Sequence, residues 1–214
     1  MDFKVDTSEI EFFLKAVKIN VSKIVDKSID TYNNLFQIHP EHAREIHEEL
    51  GDDLEKKGNY GGAINAYNKI LITDPNNVGI LLKLSKIYIR LGQLVVAEES
   101  LKKATALDDT IPEAFYLLGS VCFSLDNNKG ALAALKKATN LNPGYSDAFY
   151  KLGLVHDAMH NPDSAIEAYL KTIALKPDFV KAYQSLGFAY EAKGNRDEAV
   201  KYFKKSMELD AKNS

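Results

Sequence analysis

Asp147-Ala148-Phe149-Tyr150-Lys151-Leu152-Gly153-Leu154-Val155-His156-Asp157 contains the pair whose recurrence decides the fold, Leu152-Gly153. A leucine followed by a small residue returns at Leu50-Gly51, Leu84-Ser85, Leu118-Gly119 and Leu186-Gly187, in steps of 34 residues without an insertion. A second small residue keeps the period at Ala63, Ala97, Ala131, Ala165 and Ala199. Four residues after each alanine stands a large apolar side chain: Tyr67, Leu101, Leu135, Tyr169 and Phe203. Pro75, Pro143 and Pro177 close three of the units. Independent positions that stay in phase five times define a repeat protein, and this period governs every local assignment.

Each unit reads as two antiparallel helices, A and B, joined by a turn. Gly58-Asn59, Gly92-Gln93 and Gly194-Asn195 mark the turn, where glycine ends helix A in the left-handed conformation. Repeat three places Asp126-Asn127-Asn128 there and repeat four His160-Asn161-Pro162, which also suit turns. The small residue of helix A and the alanine of helix B mark the closest approach of the two helices. A larger side chain at Ala131 or Ala165 is expected to overpack that contact, at ~1–3 kcal/mol. Such a unit cannot bury its apolar stripe alone, so units must stack. The expected fold is all-α: a right-handed superhelical solenoid of tetratricopeptide (TPR) repeats with a helical N-terminal extension. The extension covers residues 1–43 and the repeats 44–77, 78–111, 112–145, 146–179 and 180–213.

Composition narrows the function classes. The formal net charge of −3 offers no basic surplus for nucleic acid or anionic lipid. The opening Met1-Asp2-Phe3-Lys4-Val5-Asp6 lacks the basic-then-apolar pattern of a secretory signal. No apolar run approaches the ~20 residues of a membrane span. Cys122 is the sole cysteine, so no intrachain disulfide can form, which fits a reducing cytoplasm.

In TPR solenoids helix A lines the concave surface, with its second, fifth, ninth, twelfth and thirteenth residues pointing into it. The first repeat is acidic at these positions, with Glu48 and Asp52. The second supplies Leu82, Lys86 and Arg90. The later repeats supply Tyr116, Phe123, Tyr150, Leu154 and Phe188. Grouped aromatics in a concavity are the usual anchors of a protein partner. The expected ligand is an apolar segment or amphipathic helix with a basic end. TPR domains that hold chaperone C-termini clamp carboxylates with lysine and asparagine. Glu48 and Asp52 carry the wrong charge for that, which excludes the chaperone reading.

Candidates for chemistry are sparse. His156 and His160 stand four apart on a predicted helix, a possible ligand spacing, but the glutamate of a zinc-protease motif is missing. His39, His42 and His47 cluster before and within the first repeat and read as surface or capping residues. No phosphate loop, nucleophile elbow or carboxylate pair is evident. The expectation is no enzyme, no metal and no cofactor, with Cys122 acting as a small hydrophobe.

Before Pro40 there is neither proline nor glycine, so this stretch is expected to be helical, as one long helix or as two breaking near Asn20. Ser8-Glu9-Ile10-Glu11 forms a capping box. Ile10, Phe13, Leu14, Val17, Val21, Ile24 and Phe36 then recur at mostly helical spacing. One period before Arg44 the repeat positions hold Val17, Ile24 and Ile29, so this is a degenerate repeat at best. It reads either as a cap on repeat one or as a detachable helix that docks on another molecule.

Three features together resemble the MamA family of magnetosome-associated TPR proteins from magnetotactic bacteria. One is the run from Asp147 to Asp157 quoted above. Another is Ala182-Tyr183-Gln184-Ser185-Leu186-Gly187-Phe188-Ala189-Tyr190-Glu191, followed by Arg196-Asp197-Glu198-Ala199-Val200-Lys201-Tyr202-Phe203-Lys204-Lys205. The third is a degenerate helical start, with Val21-Ser22-Lys23 and Phe36, followed directly by five unbroken repeats. The resemblance implies a cytoplasmic scaffold, peripheral on the magnetosome membrane and held there by protein partners rather than by insertion. It also implies self-association, with the N-terminal segment of one copy docking on the groove of the next, and recruitment of other magnetosome proteins. The competing expectation is a monomeric TPR adaptor that binds a segment of an unrelated cytoplasmic protein.

Overall fold

The computed structural model describes residues 40–213, and every regular element among them is a helix. The order is α1 (Pro40–Lys56), α2 (Tyr60–Thr73), α3 (Val78–Arg90), α4 (Leu94–Leu107), α5 (Pro112–Ser124), α6 (Asn128–Leu141), α7 (Ser146–Ala158), α8 (Pro162–Leu175), α9 (Val180–Ala192) and α10 (Arg196–Asn213). Odd-numbered helices are the A helices of the five repeats and even-numbered ones the B helices. They fall into two compact units, the first ending at Thr73 and the second beginning at Asp74.

The first unit presents the hairpin of α1 and α2. Helix α1 begins at Pro40, ahead of the repeat boundary at Arg44, because proline suits the first turn of a helix, where its missing N–H is not needed. Gly58 takes φ +73° after α1, and the Asn59 amide closes on the Leu54 carbonyl at 2.8 Å. The fully buried Tyr67 ring occupies the space over Gly51, where an added Cβ would come within 3.0 Å of it. Its hydroxyl donates to the Asp52 carboxylate at 2.6 Å.

In the second unit each A helix packs on its own B helix, and α5, α7 and α9 also pack on the B helix before them. The turns close alike whatever residue occupies them. Gly92 and Gly194 lie at φ +71° and +78°, whereas Asp126 and His160 reach +59° and +57°. Asp and His are among the non-glycine residues enriched in this region. The amides of Gln93, Asn127, Asn161 and Asn195 all bond at 2.9 Å to the carbonyl five residues back. This bond satisfies a carbonyl the helix end would otherwise leave orphaned. A Cβ on Gly119, Gly153 or Gly187 would enter Leu135, Tyr169 or Phe203 respectively, which explains the small residue in helix A. Ala97, Ala131 and Ala165 are fully buried at the opposing position.

Candidate functional site

The five A helices carry the sequence-predicted partner-binding residues, and their surroundings differ sharply. In the first unit Glu48 and Asp52 are half-buried, and Asp52 already accepts the Tyr67 hydroxyl. Burial, and after it that bond, raise the Tyr67 pKa. Asp52 therefore contributes to packing as well as to surface charge.

In the second unit Leu82 packs against the cluster of Ala97, Leu101 and Val121. Lys86 reaches across to Glu113 of the next A helix at 2.8 Å, and Arg90 is exposed at the end of α3. Tyr116 and Phe123 lean on the cluster of Cys122, Leu135, Leu152 and Val155. Tyr150 and Leu154 lean on that of Ile166, Tyr169 and Leu186. These four side chains are half-buried. Phe188 is different: it is 62% exposed and touches Phe203 edge-on, with ring centroids 5.0 Å apart.

Two partners of these residues escaped the sequence reading. Tyr116 stacks obliquely with Tyr145 at 5.0 Å, and Tyr150 with Phe179 at 4.9 Å. Tyr145 and Phe179 both close their repeats at the thirty-fourth position, so an aromatic in that slot was the available signal. Lys151 lies 5.9 Å from the Phe123 ring centroid, and burial lowers its pKa. The aromatic row is thus one face of a packed seam whose open part lies at Phe188.

A second depression lies between α6 and α8, floored by α7. This cleft, of about 680 Å³, is lined by Phe149, Leu152, Leu170, His156, Lys136 and Lys171, among others. His156 is 8% exposed, and its Nδ1 has no hydrogen-bond partner. Burial lowers its pKa, with Lys136 adding to the effect, which favours the neutral ring. His160 sits exposed in the turn beyond α7, so the two histidines divide between core and surface.

Cys122 is buried, and its thiol donates to the Glu98 carboxylate at 3.5 Å. Burial pushes its pKa up to about 11. Among the described residues no three His, Cys, Asp or Glu side chains converge as a metal site, and no helix is long and apolar enough to cross a membrane. Ile10, Phe13, Leu14, Val17, Val21, Ile24 and Phe36, expected to drive self-assembly, lie outside the described residues, as does His39.

A ladder of helical hairpins with small residues at each crossing and side chains offered along the A helices defines a tetratricopeptide-repeat protein. Tetratricopeptide-repeat models match residues 54–121, 146–179 and 180–213, and a TPR-repeat model matches 119–159. A crystal structure of MamA protein is 54% identical and covers 79% of this chain and 93% of its own, with a TM-score of 0.76. A second MamA crystal structure is 55% identical, covering 77% and 96%, with a TM-score of 0.75. The chain belongs to the MamA family. A more distant likeness, to a CTR9 homologue of Arabidopsis thaliana, is 36% identical over 77 residues, which span 36% of this chain and 7% of that protein.

Proposed function

We propose that this chain is a self-assembling protein scaffold on the cytoplasmic face of the magnetosome membrane, where it recruits other magnetosome proteins. The observation that carries the reading is the 54% identity to a MamA structure over 79% of the chain. Attachment runs through protein partners rather than through an inserted segment, and the role is non-catalytic. Assembly proceeds by docking of residues 8–38, with Ile10, Phe13, Leu14, Val17, Val21, Ile24 and Phe36 as the apolar contacts, on the A-helix face of another copy around Tyr116, Tyr150 and Phe188. Phe188 supports this reading, because an aromatic ring 62% exposed in that row is an anchor without a cover. Tyr116, Phe123, Tyr150 and Leu154 then form the rim and floor of the docking surface.

Light scattering on the full chain, on a chain lacking residues 1–39 and on full-length Phe188→Asp tests the proposal. Large particles that shrink in both variants support it. A full chain that runs as one molecule points instead to the monomeric adaptor.

A further inference from the structure

The interior of the second unit shows what normally covers a B helix. Ile166 and Tyr169 of α8 are 7% and 0% exposed, buried under Leu186 and Ala189 of α9. The corresponding positions of α10 hold Val200 and Phe203, with Met207 one turn further on, where α8 has Ile173. Here Val200 is 50% and Met207 69% exposed, and Phe203 is half-buried. Helical spacing sets Val200, Phe203, Lys204 and Met207 on one stripe, apolar except for the lysine. The stripe has the composition of a junction between repeats.

Among the described residues, the opposite half of such a junction is exposed on α1. The third residue of helix A is buried in the other repeats, as Ile80, Ala114, Ala148 and Ala182, but its counterpart Ile46 is 42% exposed. Ile46, Glu49, Leu50 and Asp53 share a stripe at the same helical spacing. At the positions of Glu49 and Asp53 the other repeats hold Lys83, Leu117, Lys151 and Ser185, and Ile87, Val121, Val155 and Ala189. Both carboxylates are exposed, and Asp53 holds only the surface Lys57, at 2.6 Å. A partner for this face must offer both an apolar stripe and a cation.

We propose that α10 of one copy receives α1 of a second copy, so that the repeat stack continues from molecule to molecule. Val200 and Met207 meet Ile46 and Leu50, and Lys204 meets Glu49 and Asp53. Charge selects α1 over residues 1–39 as the occupant. Helix α1 carries seven carboxylates against Arg44 and Lys56, whereas acids and bases nearly balance over residues 1–39. The contact uses neither residues 1–39 nor the aromatic row. It is heterologous, so it need not close.

The test is sedimentation velocity of the full chain over a range of concentrations. Lys204→Glu and Met207→Asp should each weaken association about tenfold, since each puts an unpaired charge in the contact. Adding Glu49→Lys to Lys204→Glu should restore it, whereas adding it to Met207→Asp should not. All three changes fall on exposed residues, and circular dichroism melting checks that each variant folds. The chain lacking residues 1–39 should keep the Lys204-dependent association even if docking on the A-helix face is lost. Unchanged association in Lys204→Glu and Met207→Asp would overturn the proposal. So would a loss in Lys204→Glu that Glu49→Lys fails to repair, because the occupant would then be something other than α1.

Discussion

Repeats four and five share one blueprint but differ in their surroundings. Repeat four buries Ile166 and Tyr169 under the next helix, whereas repeat five leaves Val200 half exposed and Phe203 partly open. Tyr169 donates its hydroxyl to the Asp157 carboxylate at 2.5 Å, but Phe203 has no hydroxyl to give. The pair separates what a hairpin needs from what a stack needs. The small-against-large crossing, Gly153 with Tyr169 and Gly187 with Phe203, occurs in both and belongs to the hairpin. Of the two, only repeat four has a covered B-helix stripe, which belongs to the junction, whereas the Tyr169–Asp157 tie joins α7 and α8 and belongs to that hairpin.

The comparison breaks most readily at that stripe. Ile166→Asp should destabilise the second unit by about 4 kcal/mol, because a carboxylate enters a closed apolar cluster without a partner. Val200→Asp, at the matching exposed position, should stay within about 0.5 kcal/mol. Equal losses in urea unfolding would show that α10 is covered as α8 is.

A smaller gap is expected at the crossings. Gly153→Val forces its side chain into the fully buried Tyr169 ring and should cost about 3 kcal/mol. Gly187→Val meets Phe203, whose ring has open space to move into, and should cost nearer 1 kcal/mol. Thermal melts of the two variants measure the difference.

Tyr169→Phe gives repeat four the ring of repeat five and leaves Asp157 without its donor. Burial already raises the Asp157 pKa, and the Tyr169 bond opposes that rise. The expected loss is about 1–2 kcal/mol at neutral pH, smaller in acid, where a protonated Asp157 needs no donor.

The smallest effect concerns pH. His156 of repeat four, whose counterpart in repeat five is Tyr190, has its pKa lowered by burial and by Lys136. The unfolded chain therefore binds the proton more tightly than the folded one. Stability from this group is complete above the ordinary imidazole value, about 6.5, and is lost as pH falls through the lowered folded value. Asp157, whose pKa burial raises, acts in the opposite sense: its contribution is lost as pH rises through that raised value. Urea midpoints should fall between pH 7 and 5.5, and His156→Gln should flatten that slope.

Much of this organisation is legible in the sequence because small residues leave an unambiguous period. Gly51, Gly119, Gly153 and Gly187 admit no Cβ, so the chain repeats itself wherever two helices cross. The turns at Asp126 and His160 were legible for a related reason, since few side chains tolerate that backbone. The A-helix face was harder to read. Tyr116 and Tyr150 occupy surface positions in the period, yet rest on Tyr145 and Phe179 just before the next helix begins. A period assigns a direction to a side chain, but not the neighbour that reaches over from a loop. The cleft beside His156 was illegible for the same reason, because it draws on α6, α7 and α8 together.

Cys122 has a practical consequence for labelling. It is the only thiol of the chain, 3% exposed, and with a pKa of about 11 it stays protonated and slow toward alkylating reagents at neutral pH. A cysteine placed at exposed Lys212 or Asn68, outside the proposed contact, would therefore react selectively with a maleimide dye, with the native residue left in place. Energy transfer between copies can then be followed on a chain altered at a single position.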